Sequence, residues 1–364
     1  MGAIRILPLA LISRIAAGEC IERPASVVKE LVENALDAGA TRVEVAILDG
    51  GRGLIQVTDD GAGMDPDDLV LSVTQHATSK IHTDDDLFSI RTLGFRGEAL
   101  ASIAAVARLR IASRRPDSEV AHEIGVDVGQ VSGPRPCNAP PGTTVAVRDL
   151  FYPVPARRKF LRTNQTEMGH ITEQLARIAL AQPGIAFTLR HGERVTHRLE
   201  ATTDRRQRIA DFYGEDLARV LLPIRREGRG VAVDGLVAPP AESRTSNKWE
   251  YAFVNGRYVR DRFVSHAVRE AYRSLIDPSR APVAFLFITI DPAQVDVNVH
   301  PTKIEVRWAD SNYIHGQVLA AIREKFLTSR LDQPLRTPRE DADYRARVRD
   351  AMVGFFRGQG AEGA

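Results

Sequence analysis

Residues 27–40 read VVKELVENALDAGA, and the fold turns on what their polar positions face. At about 100° per residue, Glu33, Asn34 and Asp37 lie within about 60° of Glu30 on a helical wheel. Val28, Leu31, Val32, Ala35 and Leu36 fill the opposite arc, with Val27 at its edge. An apolar arc this wide suits a helix laid across a sheet. Pro24 is placed to open the helix and Gly39 to close it. For a helix taken alone, the polar stripe is a solvated face. Two details point elsewhere. Glu30 and Asn34 are i,i+4 neighbours, roughly 5–6 Å apart at Cβ. Asn is also a poor helix-interior residue, because its amide competes for backbone hydrogen bonds.

The flanking sequence gives the stripe companions. TRVEVAILD and GLIQVTD alternate and are rich in β-branched residues, so GGRG between them predicts a hairpin. The second strand runs into VTDDGAGM. A carboxylate at a strand end, Asp59, can accept a hydrogen bond from an exocyclic amine such as that of adenine. Gly61 and Gly63 let backbone approach a flat ring. Taken alone, the motif is a glycine turn. Further on, TLGFRGEAL sets Gly94 and Gly97 before a helix, where exposed N–H groups suit an anion. Taken alone, that segment is a flexible loop.

Along the chain, MDPDDLVLSV predicts a helix capped by Asp65, and ASIAAVARLRIAS a helix followed by a strand. PRPCNAPPGTT reads as a loop, TVAVRDL as a strand, and 164–182 as a helix followed by strands to about 200. A helix is also expected over 10–17. A second unit holds strands around YAFVNGRYV and VAFLFITI, a basic helix after Asp261, and VDVNVHPTKIEVRW, with GLVAPPAESRTSNKW as a loop. Beyond about Leu331 the chain turns polar and reads as a linker. The domain reading is 1–215, 216–332 and a linker-like tail over 333–364.

Composition bounds the rest. With 364 residues, 43% hydrophobic and 26% charged, the profile is that of a globular chain of two domains. A net charge of +2 excludes a polycation, so any nucleic-acid affinity needs a local patch. Two cysteines build no disulfide framework and suit a reducing cytosol. No apolar run is long enough to span a membrane. Pro8 and Arg14 break the apolar run near the start, against a signal peptide, and Ile6 breaks the myristoylation pattern. There is no Walker loop, no nucleophile elbow and no Cys/His metal-ligand motif; the G-x-G-x-x-G at 358–363 follows no strand.

Together, Glu-x-x-x-Asn on a helix, Asp-x-Gly-x-Gly after a strand and a glycine-rich lid resemble the GHKL ATPases. Within that group, IAAGECIERPASVVKELVENALDAGA, HATSKI, LGFRGEALASI, FYPVPARRKFL, FVNGRYVRDR and QVDVNVHPTKIEVRW, in this order over residues 4–310, resemble the MutL family of DNA mismatch-repair proteins. Asp60 stands where that family commonly has Asn, and Met64 where Ile is usual.

The resemblance implies an α+β fold: a GHKL (Bergerat-type) α/β sandwich followed by a smaller ribosomal-protein-S5-like α/β domain. It implies ATP and Mg²⁺ as ligands. Glu30 would be the general base, Asn34 the Mg²⁺ ligand, Asp59 the adenine acceptor with Thr143 in support, and Lys303 a partner of the γ-phosphate. Gly63, Met64 and Thr78 would line the nucleotide, and Gly94, Phe95, Arg96, Gly97, Glu98, Ala99 and Leu100 would close over the phosphates. Glu33 and Asp37 would support from the side. The chemistry suits these roles: a carboxylate activates water, an amide oxygen is a hard ligand, and a lysine with aligned N–H groups neutralises a transferring phosphoryl group. Other GHKL members of gyrase or chaperone type, or a nucleotide-sensing scaffold with little turnover, stand as alternatives.

NGRYVRDRFVSHAVREAYR gathers Arg257, Arg260, Arg262, Arg269 and Arg273. Such a cluster can follow DNA phosphates without reading sequence, or its arginines can pair with Asp261 and Glu270. The resemblance favours Arg262 as the DNA contact. It also implies a homodimer on ATP binding, a MutS-type mismatch sensor, a downstream nicking endonuclease and helicase as partners, and a bacterial cytoplasmic, nucleoid-associated setting.

Overall fold

The computed structural model describes residues 21–80, 97–127, 129–297 and 304–329, with the single positions Pro8, Ile15, Ala17, Gly18 and Gly94. Phe95, Arg96, Lys303, most of the helix expected over 10–17 and the tail over 333–364 lie outside these residues. The chain divides into two units, Met1–Arg208 and Ile209–Ala364.

The first unit opens with α1 (Pro24–Asp37), β1 (Arg42–Leu48), β2 (Leu54–Asp59) and α2 (Pro66–Leu71). It continues with α3 (Ala99–Val106), β3 (Arg108–Arg114), β4 (Ala121–Asp127), β5 (Gln130–Cys137) and β6 (Gly142–Arg148). Next come α4 (Pro155–Phe160), α5 (Asn164–Ala181), β7 (Ala186–His191) and β8 (Arg194–Leu199). One eight-stranded sheet results, ordered β5-β4-β3-β6-β2-β1-β7-β8. β1 and β7 are parallel, and the remaining neighbours antiparallel.

The expected α1, with its C-terminal glycine, is present: Gly39 has φ +75°. Its apolar arc is buried, with Val27, Val28 and Val32 at 0% exposure, and it packs on β1, β2 and α5. Each such side chain contributes roughly 1.5–3 kcal/mol of burial, which fixes the helix and therefore the direction of its polar face. The β1–β2 hairpin pairs Val43 with Asp59 and Leu48 with Leu54. Asp65 caps α2, accepting from the N–H groups of Asp67 and Asp68. Arg208 is fully buried, and its Nη2 donates to the carbonyls of Pro183, Ile185 and Glu200 at 2.8, 3.0 and 2.7 Å.

One expected loop is corrected. Pro134, Arg135, Pro136 and Cys137 of PRPCNAPPGTT belong to β5. The physical reason is position: β5 is the sheet edge, where a proline gives up no ladder hydrogen bond toward a second neighbour.

The second unit begins at Ile209, inside α6 (Arg205–Tyr213), and continues with α7 (Glu215–Val220). Its strands are β9 (Leu222–Gly228), β10 (Val231–Val237), β11 (Glu250–Val254) and β12 (Arg257–Val259). Then come α8 (Arg262–Tyr272), β13 (Ala284–Ile290), β14 (Val295–Asp296), β15 (Arg307–Trp308) and α9 (Ser311–Thr328). A five-stranded sheet is ordered β12-β11-β13-β10-β9, and β14 and β15 pair separately. Val264, Ala267, Val268 and Ala271 of α8 and Ile314, Val318 and Ile322 of α9 share one core with Val231, Val233, Leu286 and Ile288. Gly235, Leu236 and Val237, expected at the start of a loop, belong to β10, and the Val237 side chain is fully buried in that core.

Candidate active site

The polar face of α1 is occupied by two lysines. Lys29, from the helix itself, donates to Glu30 Oε1 at 2.9 Å and to Glu33 Oε2 at 3.1 Å. Burial opposes the charge on Lys29, yet Glu33 and Glu30 outweigh it and hold its pKa above the ordinary lysine value. Glu33 is buried. One turn further, Lys80 Nζ donates to Asn34 Oδ1 at 2.9 Å and to Asp37 Oδ2 at 2.6 Å. The N–H of Gly94 donates to the same Asp37 oxygen at 3.0 Å. The stripe therefore splits into a Glu30–Glu33 half and an Asn34–Asp37 half, each around one ammonium.

Asp59 stands at the end of β2, directly opposite Thr143 of β6. Its Oδ1 accepts from the N–H of Gly61 at 2.9 Å. Burial pushes its pKa above the ordinary aspartate value, against the N–H groups of Gly61 and Thr143, which favour the charge. Thr143 Oγ1 lies 2.9 Å from Ser113 Oγ on β3. Ser113 is buried, donates to the Gly142 carbonyl and accepts from the N–H of Met64 at 2.8 Å. Asp59, Thr143, Ser113 and Met64 thus form one patch across three adjacent strands and the loop after β2. Gly63 has φ +65°, and a Cβ there would sit 2.2 Å from the Arg114 carbonyl oxygen, so only glycine fits.

Asp60 faces away from this patch. Its carboxylate accepts from the N–H groups of Thr41 and Arg42 at 2.7 and 2.8 Å and from the Thr41 hydroxyl at 2.6 Å. Burial works against its charge, but the Thr41 hydroxyl and these amides hold its pKa below the usual carboxylate value. Its departure from the family's Asn therefore falls on a backbone tie at the start of β1.

On the far side, Gly97 has φ +62°, and a Cβ would lie 2.4 Å from the Ala77 carbonyl oxygen. Glu98 Oε1 lies 3.3 Å from His76 Nδ1, and Thr78 Oγ1 accepts from the N–H of Lys80 at 3.2 Å. Gly97 and Glu98 thereby meet the 76–80 segment, with Ala99 and Leu100 opening α3.

In the second unit, Asp261 caps α8, accepting from the N–H groups of Phe263 and Val264 at 3.0 and 2.9 Å. Arg262 is exposed at the first position of α8 and lies over the Phe263 ring, 5.0 Å from its centroid. Arg269 pairs with Glu250 at 3.2 Å, not with Asp261 or Glu270.

Three residues gain weight that the sequence reading did not give them. Lys80 stood in the quoted HATSKI block with no role. Lys29 had a usable signal, its i,i+4 spacing from Glu33. Ser113 had a usable signal: it falls on the inward positions of RLRIASR with Leu109 and Ile111, a hydroxyl where an apolar residue is due.

Asn34 Oδ1 accepts a hydrogen bond from the Lys80 ammonium beside the Asp37 carboxylate, and an amide oxygen next to a carboxylate is a donor set of the hard kind that suits Mg²⁺. The arrangement can therefore hold a metal-bound anion beside a carboxylate, with a half-buried acceptor for an amine.

Residues 21–139 match the model of the histidine kinase-, DNA gyrase B- and HSP90-like ATPases, and residues 209–327 that of the DNA mismatch repair protein C-terminal domain. The chain is 49% identical over 331 residues to DNA mismatch repair protein MutL of Xanthomonas campestris pv. campestris, covering 90% of this chain and 53% of the relative. It is 43% identical over 373 residues to MutL of Syntrophotalea carbinolica, covering 98% and 59%. The chain thus spans between half and two thirds of the length of these relatives. Among solved structures, the Aquifex aeolicus MutL ATPase domain complexed with ADP is 28% identical with a TM-score of 0.56, over 82% of this chain and 97% of that one. The N-terminal domain of a DNA repair protein shares the fold with a TM-score of 0.73 at 24% identity, over 85% of this chain and 96% of that one.

Proposed function

The chain belongs to the MutL family of DNA mismatch-repair proteins, with a GHKL ATPase fold followed by an S5-like domain, and from that premise we propose that it binds and hydrolyses ATP as a switch in mismatch repair. The domains are assigned to residues 1–215 and 216–332, which keeps α6 whole. The observation that carries the proposal is the pairing of one helix face, Glu30 to Asp37, with the Asp59–Thr143–Ser113 patch inside one unit.

Asp59 accepts the adenine amine, held in place by Gly61 and flanked by Thr143. Glu30 takes the proton of the attacking water, while Lys29 fixes its direction. Asn34 would hold Mg²⁺, which when bound would neutralise phosphate charge. Gly63, Met64 and Thr78 line the nucleotide. The segment over 94–100 is assigned the role of covering the phosphates.

ATP binding orders the lid and favours a homodimer, since a ligand shifts an equilibrium only by its differential affinity. Arg262 contacts DNA backbone. The switch couples a MutS-type mismatch sensor to a nicking endonuclease and a helicase, in the bacterial cytoplasm at the nucleoid.

A second reading, a nucleotide-binding scaffold with little turnover, is favoured by one observation: an ammonium 2.9 Å from Glu30 competes with water for that carboxylate. Calorimetric titration with Mg-ATP tests the site itself. The wild type is expected to bind, Asp59→Ala to lose detectable binding, and Asn34→Ala to lose the dependence of binding on Mg²⁺. Unaltered affinity in Asp59→Ala contradicts the adenine assignment.

A further inference from the structure

We propose that His266 and Glu270 of α8 and His315 of α9 form a binding site for a divalent transition metal of the zinc type, a staple between these two helices. The proposal is independent of the nucleotide site.

His266 and Glu270 are i,i+4 neighbours, so both project from one face of α8. His315 comes to them from the first turns of α9. One ligand atom from each residue lies within 4.8 Å of the others. His266 Nδ1 is 2.9 Å from His315 Nε2. Glu270 Oε2 is 3.7 Å from the first nitrogen and 3.5 Å from the second. Those last two separations are too long for good hydrogen bonds. They are the right size for ligands that share a metal: bonds of about 2.0–2.1 Å in a tetrahedron set ligand atoms roughly 3.3 Å apart. The three distances bracket that value.

The surroundings suit a metal site with three protein ligands and one open position. His266 is exposed, so water can supply the fourth ligand. Arg323 Nη2 donates to the Glu270 carbonyl at 3.0 Å and lies 3.7 Å from Glu270 Oε1, which leaves Oε2 turned to the imidazoles. Zinc needs neutral imidazoles. The proton between the two ring nitrogens moves to the outer nitrogen of the donating ring by tautomer exchange, so both lone pairs face the metal. The bound metal joins the helix that begins with Arg262 to its neighbour.

The test uses the full chain, stripped with a chelator and titrated without nucleotide. Zn²⁺ binding is read by calorimetry, and Co²⁺ by its visible absorption. The wild type is expected to take one equivalent and to give the intense cobalt band of a tetrahedral site. His266→Ala and His315→Ala are each expected to weaken binding by roughly a hundredfold, while His170→Ala, an exposed histidine elsewhere, leaves it unchanged. His266 is exposed, so its variant keeps the fold even if His315→Ala does not. Equal Zn²⁺ affinity in the wild type and His266→Ala, or only the weak cobalt spectrum of a six-coordinate ion, overturns the proposal.

Discussion

Lys29 shows how much of this site depends on a residue that never touches a ligand. Its ammonium is the shared partner of Glu30 and the buried Glu33. Removing it takes a charged donor away from a buried carboxylate. Lys29→Met is therefore expected to lose roughly 1.5–3 kcal/mol of stability, measured by urea denaturation. The sign with pH follows from the raised folded pKa. The contribution is fully present below the unfolded lysine value of about 10.4, and is lost as pH rises through the folded one. The stability gap between wild type and variant should stay level from neutral pH to about 10 and close above it. A gap that already narrows between neutral pH and about 10 contradicts the ion-pair account. At this scale the sequence was informative about type and silent about pairing. The Glu30–Asn34 spacing was legible because a helix fixes i,i+4 geometry. The Lys80 contact to Asn34 and Asp37 was not, because it joins segments 43 and 46 residues apart.

At the scale of elements, the legible ones carry strong local signals: the β1–β2 hairpin, the Asp65 cap of α2 and the Asp261 cap of α8. Where local signals conflict, tertiary position decided. The prolines of β5 argue for a loop until the strand is placed at the sheet edge. α9 was not among the expected helices; its buried residues Ile314, Val318, Leu319, Ala320, Ala321 and Ile322 spread over a wide arc and leave only weak periodicity. α8 is where DNA enters the account. Arg262 is exposed at its start, while Arg269 is held by Glu250. Arg262→Glu should weaken DNA binding equally across sequences and reduce the slope of log affinity against log salt by at least about 0.9. Fluorescence anisotropy over a salt series measures it, and an unchanged slope rules out the phosphate contact.

For the whole molecule, the order of motifs along the chain was readable, whereas their meeting was a matter of topology. β3, β6 and β2 are sheet neighbours, so Ser113, Thr143 and Asp59 share one patch though scattered in sequence. His266 and His315 meet across 49 residues, which no ligand-spacing motif encodes. The switch itself is a property at this scale. Light scattering with size exclusion is expected to give a monomer mass without nucleotide and twice that mass with a non-hydrolysable ATP analogue. A monomer in both conditions contradicts nucleotide-driven dimerisation.

The central claim is that the polar face of α1 is the wall of a hydrolytic site, with Glu30 as its base. Phosphate release and ATP binding measured side by side on Glu30→Ala test it most directly. The account predicts that ATP still binds with affinity of the same order while turnover falls by roughly 10²–10⁴-fold. Turnover equal to the wild type, with ATP bound, would contradict it.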